Sequence, residues 1–211
     1  MIRVYHTRFA ARFSEETWTR YSAGIPPKLL DLISRYRRWE DRQSKLLGKV
    51  LLRRCLADLG HGSNALHDLA YNQYGRPSLD YPIDFNISHS GGCVVCAVAT
   101  EGNVGVDVEQ IRMVPLSDFS NCFTAPEWRE INGAPAKYAK FFQMWTIKES
   151  VMKANGGGLS IPFLDVSIGE KCATLYGKIW YLRELVICPD YMCYLSNDVE
   201  DIEIGMKELD F

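Results

Sequence analysis

Asn103-Val104-Gly105-Val106-Asp107-Val108-Glu109 is the stretch on which the fold turns. Valines at 104, 106 and 108 alternate with Gly105, Asp107 and Glu109, which is the period of a β-strand. Side chains two apart share a face of a strand and stand about 6.5–7 Å from one another. The valines therefore face a core, and two carboxylates stand side by side over a glycine. Like charges so placed on an apolar strand repel, and cost stability unless a positive group lies between them. A hard divalent cation held by oxygen ligands supplies that charge. Asp107 and Glu109 are read on this ground as candidate metal ligands.

A third carboxylate comes from residues 137–154, the strongest helical pattern in the chain. Tyr138, Phe141, Phe142, Trp145 and Met152 recur at helical spacing as a buried stripe. Glu149 falls in the middle of that stripe, where the pattern asks for an apolar residue. One turn on, Lys153 offers an i,i+4 pair worth about 0.2–0.5 kcal/mol, too little to offset the burial of a carboxylate. A metal ion offsets it, so Glu149 joins Asp107 and Glu109. The glycines at 156, 157 and 158 stop the helix. That run lacks the Gly-Lys-Ser/Thr ending of a nucleotide P-loop.

The whole chain sets the frame. Its 211 residues suffice for one domain or two small halves, and each half holds a helix plus a few strands. A hydrophobic content of 47% with 12% aromatics fits an ordered globular protein. A formal charge of −2 gives no overall pull toward nucleic acid or anionic membranes. Residues 2–9 read as an opening strand rather than a leader, no run reaches membrane-span length, and the expected location is the cytoplasm. There are seven cysteines. Cys93 and Cys96 form a C-x-x-C, but a strand sends those two sulfurs to opposite faces. No second pair with zinc-finger spacing follows, and Cys188 and Cys193 also sit in strand-like surroundings. Buried structural thiols in a reducing compartment are preferred to a zinc or redox site.

Pro26-Pro27 opens a helical region running, with room for a break, to about Leu59. Within it Arg35, Arg38, Arg42, Lys45, Lys49 and Arg53 fall on one stripe, flanked by Trp39, Leu46 and Val50. A solvated face and a phosphate-binding wall both account for such a stripe. A nucleic-acid groove is disfavoured, since no aromatic series interleaves with the cations. After a connector at 60–64, Tyr74-Gly75-Arg76-Pro77 is a tight turn presenting one cation. In 84–92, two hydroxyls (Ser88 and Ser90), His89 and two glycines make either an anion cradle or a polar turn. A nucleophilic Ser88–His89 pair is disfavoured, because neighbours on a strand point apart. Cys93–Ala99 and 104–109 are expected to form an antiparallel hairpin. The loop 110–122 exposes Arg112, Met113, Val114 and Phe119, and Thr124-Ala125-Pro126-Glu127 is a capping box opening a helix around Trp128. Segments 166–168, 173–180, 185–188, 192–196 and 202–206 read as short strands closing an antiparallel sheet.

These blocks resemble the surfactin-type 4′-phosphopantetheinyl transferases. Phe85-Asn-Ile-Ser-His-Ser-Gly91, Gly105-Val-Asp-Val-Glu109, Trp145-Thr-Ile-Lys-Glu-Ser150 with Lys153, and Gly158-Leu-Ser-Ile-Pro162 match that family in order and spacing. Leu46-Leu47-Gly48 followed by Arg53, and Tyr74-Gly75-Arg76-Pro77, fit its earlier blocks. The resemblance covers most of residues 25 to 163. It implies an α+β fold of two similar halves in a pseudo-twofold arrangement, with the active site in the cleft between them. Residues 1–103 would form the coenzyme A side, and 104–211 the half with the metal and the catalytic helix.

The resemblance further implies Mg²⁺ as cofactor, coenzyme A as donor, and a serine of an acyl, peptidyl or aryl carrier protein as acceptor. Asp107, Glu109 and Glu149 would hold the metal. Ser88 and His89 would contact the 3′-phosphate, and Arg76 the adenine or its phosphate. Lys148 and Lys153 would meet the pyrophosphate and pantetheine, and Lys28 an outer phosphate. Lys45, also placed in the coenzyme set, stands where the family often carries a small hydroxyl residue or arginine. Glu149 would be the general base toward the carrier serine, and Lys153 would stabilise charge as adenosine 3′,5′-bisphosphate leaves. Arg112, Met113 and Phe119 are expected to dock the carrier. An internal pseudo-dimer implies a monomer. The competing reading is a catalytically inactive module that binds coenzyme A or a carrier, against which the intact acidic set and Lys153 speak.

Overall fold

The computed structural model describes residues 1–62 and 64–211; Ser63, in the connector expected at 60–64, lies outside the described residues. The chain begins with β1 (Ile2–Arg8) and three helices, α1 (Glu15–Ser22), α2 (Pro27–Ser34) and α3 (Trp39–Asp58). Strands β2 (Ala70–Tyr71), β3 (Pro77–Ser78), β4 (Asp84–Ser90), β5 (Cys93–Ala99) and β6 (Val104–Gln110) follow. Helices α4 (Ala125–Gly133) and α5 (Lys137–Asn155) come next. The chain then runs through β7 (Ser167–Ile168), β8 (Cys172–Leu175), β9 (Lys178–Glu184), β10 (Tyr191–Asn197) and β11 (Ile204–Glu208). Among the described residues no helix is long and apolar enough to cross a membrane.

Local chemistry sets most of these boundaries. Thr124 and Glu127 make the reciprocal capping box that starts α4. Gly156, at φ 94°, adopts the left-handed conformation that ends α5. The helical region expected from Pro27 to Leu59 is broken at 35–38. The break lets α2 fold back, so that Leu29 and Ile33 share a core with Leu47 and Leu51 of α3. Arg35 therefore leaves the basic stripe.

The larger strands form two sheets, ordered β11-β1-β5-β4 and β6-β10-β9-β8-β7. Strand β5 is buried along its whole length, apolar on both faces. Cys96 faces the core under α3 and Cys93 the core between the sheets. Both thiols are free, and burial pushes Cys93 up to about 12. The hairpin expected between β5 and β6 is not formed. Strand β5 already pairs with β1 on one edge and β4 on the other, so it has no edge to offer. Strand β6 instead opens the second sheet against β10, and its three valines meet Ile2, Val4 and Val95 in the core between the sheets.

Three further expectations are corrected. Residues 185–188 are not a strand, since β9 ends at Glu184 and the chain loops to β10 at Tyr191. Residues 173–180 are not one strand: Tyr176 and Gly177, both at positive φ, turn the chain between β8 and β9. The segment 202–206 does not close an antiparallel sheet. Strand β11 crosses back and lies parallel to β1, with Ile2 opposite Ile204. A division at 103/104 therefore leaves β11 with the first sheet. Helix α3 packs against β5 and β1, while α5 lies on β6 and β10. The α5–β6 approach depends on Gly105, where a Cβ would stand 2.0 Å from the Ser150 carbonyl oxygen.

Candidate active site at the seam between the sheets

The two sheets meet where β4 runs beside β6, and the join is made by side chains. Every second residue of β4 presents an acceptor to a backbone N–H of β6. Asp84 Oδ2 accepts from Val104 N at 2.7 Å and Asn86 Oδ1 from Val106 N at 3.1 Å. Ser88 Oγ accepts from Val108 N at 3.3 Å and Ser90 Oγ from Gln110 N at 3.2 Å. An edge strand whose amides must be satisfied is thereby closed without a backbone ladder. The polar stretch read as a cradle or turn is this row of acceptors.

The same hydroxyls hold the acids. Ser88 Oγ donates to Asp107 Oδ1 at 2.9 Å, and Ser90 Oγ donates to Glu109 Oε2 at 2.5 Å. Asp107 is only 1% exposed, and its Oδ2 has no hydrogen-bond partner. Lys153 Nζ, reaching from α5, lies 2.5 Å from Asp107 Oδ1 and 3.4 Å from Glu149 Oε2. Burial, then the Asp107 charge, pushes Glu109 up to about 7, with Glu149 adding to the effect. Glu149 is raised by burial and by Asp107. Burial works against the Lys153 ammonium, yet Asp107 and Glu149 hold its pKa above the ordinary value. The three acids named from the sequence thus share one electrostatic site. Among the described residues no three acidic, histidine or cysteine side chains form a ready-made metal cage, and the Lys153 ammonium stands between Asp107 and Glu149. The orphaned Asp107 oxygen and an all-carboxylate donor set nevertheless suit a hard divalent cation.

Beside the acids, on the first sheet's side, lies a cavity of about 310 Å³ whose walls include Ile33, Tyr36, Lys45, Lys49 and His89. Burial pulls Lys49 down to about 8, with Lys45 pushing the same way. Lys45 is lowered by burial and by Lys153, and its Nζ lies 5.6 Å from the Tyr36 ring centroid. His89 is pushed down to about 4 by burial, then by Lys45 and Lys153. Cations crowded in this way favour a bound anion. Within the basic stripe, Lys45 and Lys49 face this cavity. Arg42 lines a different one, and Arg53 bonds the Ala23 carbonyl. The sequence offers Lys49 only as one member of the stripe. Its i,i+4 spacing from Lys45 is the one signal in the sequence; the close approach of α3 to β4, where a Cβ at Gly48 would meet Ile87 at 2.9 Å, brings both lysines to the cavity.

Known proteins match this chain over most of its length. Residues 12–101 match the family described as "4'-phosphopantetheinyl transferase, N-terminal", and residues 103–195 match the "4'-phosphopantetheinyl transferase superfamily". The 4'-phosphopantetheinyl transferase gsp of Aneurinibacillus migulanus is 31% identical over 164 residues, covering 77% of this chain and 69% of the relative. Sfp of Bacillus subtilis (strain 168), also named a 4'-phosphopantetheinyl transferase, is 28% identical over 79% of this chain and 76% of its own. The L-aminoadipate-semialdehyde dehydrogenase-phosphopantetheinyl transferase of Schizosaccharomyces pombe is 32% identical over 74% of this chain and 70% of its own. The chain belongs to the 4′-phosphopantetheinyl transferase superfamily. It is an enzyme of that type, moving the phosphopantetheine arm of coenzyme A to a carrier protein.

Several residues of the transferase occupy other posts than those expected. Lys148 does not face the acids. It is fully buried, with Nζ 2.9 Å from Glu127 Oε1 and bonded to the carbonyls of Phe163 and Val166. Lys148 and Glu149 are neighbours on a helix, so their side chains diverge by about 100°. Ser88 and His89 diverge for the equivalent reason on a strand. Ser88 is bound into the seam and only His89 lines the cavity. Arg76 is engaged by Asp84 and by backbone carbonyls of β6 and α5. Lys28 is exposed on the first turn of α2 and does not itself line the cavity, though its neighbour Leu29 does. Phe119 packs against Phe141 and Trp145 while Arg112 and Met113 are exposed, so the docking surface expected in this loop loses its aromatic.

Proposed function

We propose that the transferase seats coenzyme A in the cavity walled by Lys45, Lys49 and His89. Mg²⁺ would be held by Asp107, Glu109 and Glu149. The observation that carries this reading is the proximity of two opposite fields: a cation-crowded cavity and a carboxylate cluster, with Lys153 paired to Asp107 and its charge felt by Lys45 and His89 of the cavity wall. A coenzyme diphosphate needs that order, phosphates against cations at one end and the breaking bond beside the acids at the other.

The chemistry that Mg²⁺ supplies when bound is neutralisation of charge on the diphosphate. Lys45 and Lys49 bind phosphate oxygens, and neutral His89 gains a proton to donate to a phosphate. Lys28, exposed at the head of α2, is an outer phosphate contact. Lys153 donates from Nζ to the diphosphate as negative charge grows on it. The carrier serine is a poor nucleophile at neutral pH. Glu149 takes its hydroxyl proton as the oxygen attacks the phosphorus next to the pantetheine. The bond to the leaving phosphate breaks, and adenosine 3′,5′-bisphosphate carries away its electron pair. Ser88 and Ser90 hold Asp107 and Glu109 in place. The acceptor is an acyl, peptidyl or aryl carrier protein, docked over exposed Arg112 and Met113. One chain supplies both the cavity and the acids, which supports a monomer. Free thiols, four of the seven buried, fit a reducing compartment such as the cytoplasm.

Incubation with coenzyme A, Mg²⁺ and a panel of apo carriers, followed by weighing the carriers, tests the reading. Each substrate carrier gains one phosphopantetheine arm. Coenzyme A binding with no mass gain on any carrier would instead indicate the inactive binding module.

A further inference from the structure

The turn at 72–76 belongs to the first half, yet its hydrogen bonds go to the end of the catalytic helix. Asn72 Oδ1 accepts from the backbone N–H groups of Tyr74 and Arg76, each at 2.9 Å, which fixes the turn. Asn72 Nδ2 donates to the Gly156 carbonyl at 3.2 Å. Arg76 Nη1 donates to the carbonyls of Lys153 and Ala154, the second at 2.9 Å. Its Nη2 donates to Asp84 Oδ2 at 2.5 Å and to the Val104 carbonyl at 3.1 Å. Asp84 Oδ2 also accepts from Val104 N.

One guanidinium thus ties β4, β6 and the last turn of α5 at a single point. The last carbonyls of a helix have no partners within it and carry partial negative charge, so a rigid cationic fork is the side chain best shaped to bind them. The carbonyl it holds is that of Lys153, whose ammonium rests on Asp107 Oδ1. Arg76 and Asp84 are largely buried, with side chains 14% and 21% exposed.

We infer that Arg76 is a positioning residue of the transfer reaction rather than a coenzyme contact. With Asn72 and Asp84 it latches the end of α5 to the seam, and so sets where Lys153 and Glu149 stand relative to Asp107. The inference rests on the proposed roles of those three residues.

The test uses Arg76→Gln, Arg76→Lys, Asp84→Asn, Asn72→Ala and Arg76→Gln/Asp84→Asn in the full chain. Each is assayed with coenzyme A, Mg²⁺ and an apo carrier shown to be a substrate of the unaltered enzyme. Loss of an orienting partner of this kind typically costs about 10–100-fold, expected here in kcat for Arg76→Gln. The KM for coenzyme A stays within about twofold, because the latch binds no part of it. Arg76→Lys recovers part of the loss, and the double variant is no worse than Arg76→Gln, as befits two ends of one contact. Hydrogen exchange on the free protein is the second readout. Amides of residues 152–157 exchange faster in Arg76→Gln and Asn72→Ala without coenzyme or metal present. A KM for coenzyme A raised about tenfold at unchanged kcat would make Arg76 a ligand contact and overturn the inference. So would additive losses at Arg76 and Asp84, or unchanged exchange at 152–157. If Arg76→Gln does not fold, Asn72→Ala and Asp84→Asn must still lower kcat at unchanged coenzyme KM, or the inference fails. An unaltered enzyme that loads no carrier refutes the proposed function, while the exchange measurement still decides the latch.

Discussion

Ser88 Oγ stands 2.9 Å from Asp107 Oδ1, across the line where the two sheets join. The same hydroxyl accepts the Val108 N–H and lies 3.1 Å from Lys153 Nζ. Structural seam and acidic cluster are therefore one network. Ser88→Ala strips a buried amide and a buried carboxylate of a partner together. Asp107 Oδ1 keeps Lys153, but the Val108 N–H is left unsatisfied, which costs about 1–3 kcal/mol, a loss that urea denaturation should show. The KM for coenzyme A should stay near its starting value, in contrast to the effect of removing a phosphate contact.

Exchanging Asp107 for Asn, Glu109 for Gln or Glu149 for Gln should each lower carrier loading by more than about 100-fold, since partners of metal ligands alone cost 10–100-fold. Circular dichroism should show the fold retained. A chelator should silence the unaltered enzyme in the same way, and added Mg²⁺ should restore it. Turnover that survives all three exchanges would remove the acids from the chemistry.

Lys148→Met separates a core ion pair from a coenzyme contact. The change leaves Glu127, with a side chain only 13% exposed, without its cation. Breaking such a pair costs about 3–5 kcal/mol, read in a denaturant titration. Calorimetric affinity for coenzyme A should be unchanged.

His89 gives the pH dependence. Its pKa falls from 6.5 in the unfolded chain to about 4 in the fold. Between those values the unfolded state binds the extra proton, so stability is present above pH 6.5 and drains away as the pH falls toward 4. His89→Gln should flatten that part of a stability profile. A phosphate placed on the imidazole moves its pKa back up, so coenzyme A binding should take up a proton in the same window. Calorimetry in two buffers of different ionisation enthalpy checks this, and His89→Gln should abolish the uptake.

Alternation and periodicity carried the acids. Asp107 and Glu109 announced themselves on a valine strand, and Glu149 interrupted an aromatic stripe. What those patterns do not encode is which element lies opposite. Lys148 looked available because its partner Glu127 belongs to another helix, where it also caps α4. Ser88 and Ser90 looked like a phosphate cradle because hydroxyls that accept from a neighbouring strand leave the same trace as hydroxyls that await a ligand. Proximity in sequence pairs strand β6 with β5, and only the two occupied edges of β5 rule that out. The cavity's second lysine, Lys49, was visible in the stripe, but its burial depends on how α3 meets β4.

The parallel pairing of β11 with β1 bears on biosynthesis. When Ile2 leaves the ribosome, its neighbour Ile204 has yet to be translated, so one border of the first sheet stays open for nearly the whole of synthesis. A stalled or prematurely terminated chain would expose that border as a sticky template, which makes truncated products natural clients for chaperones and proteases.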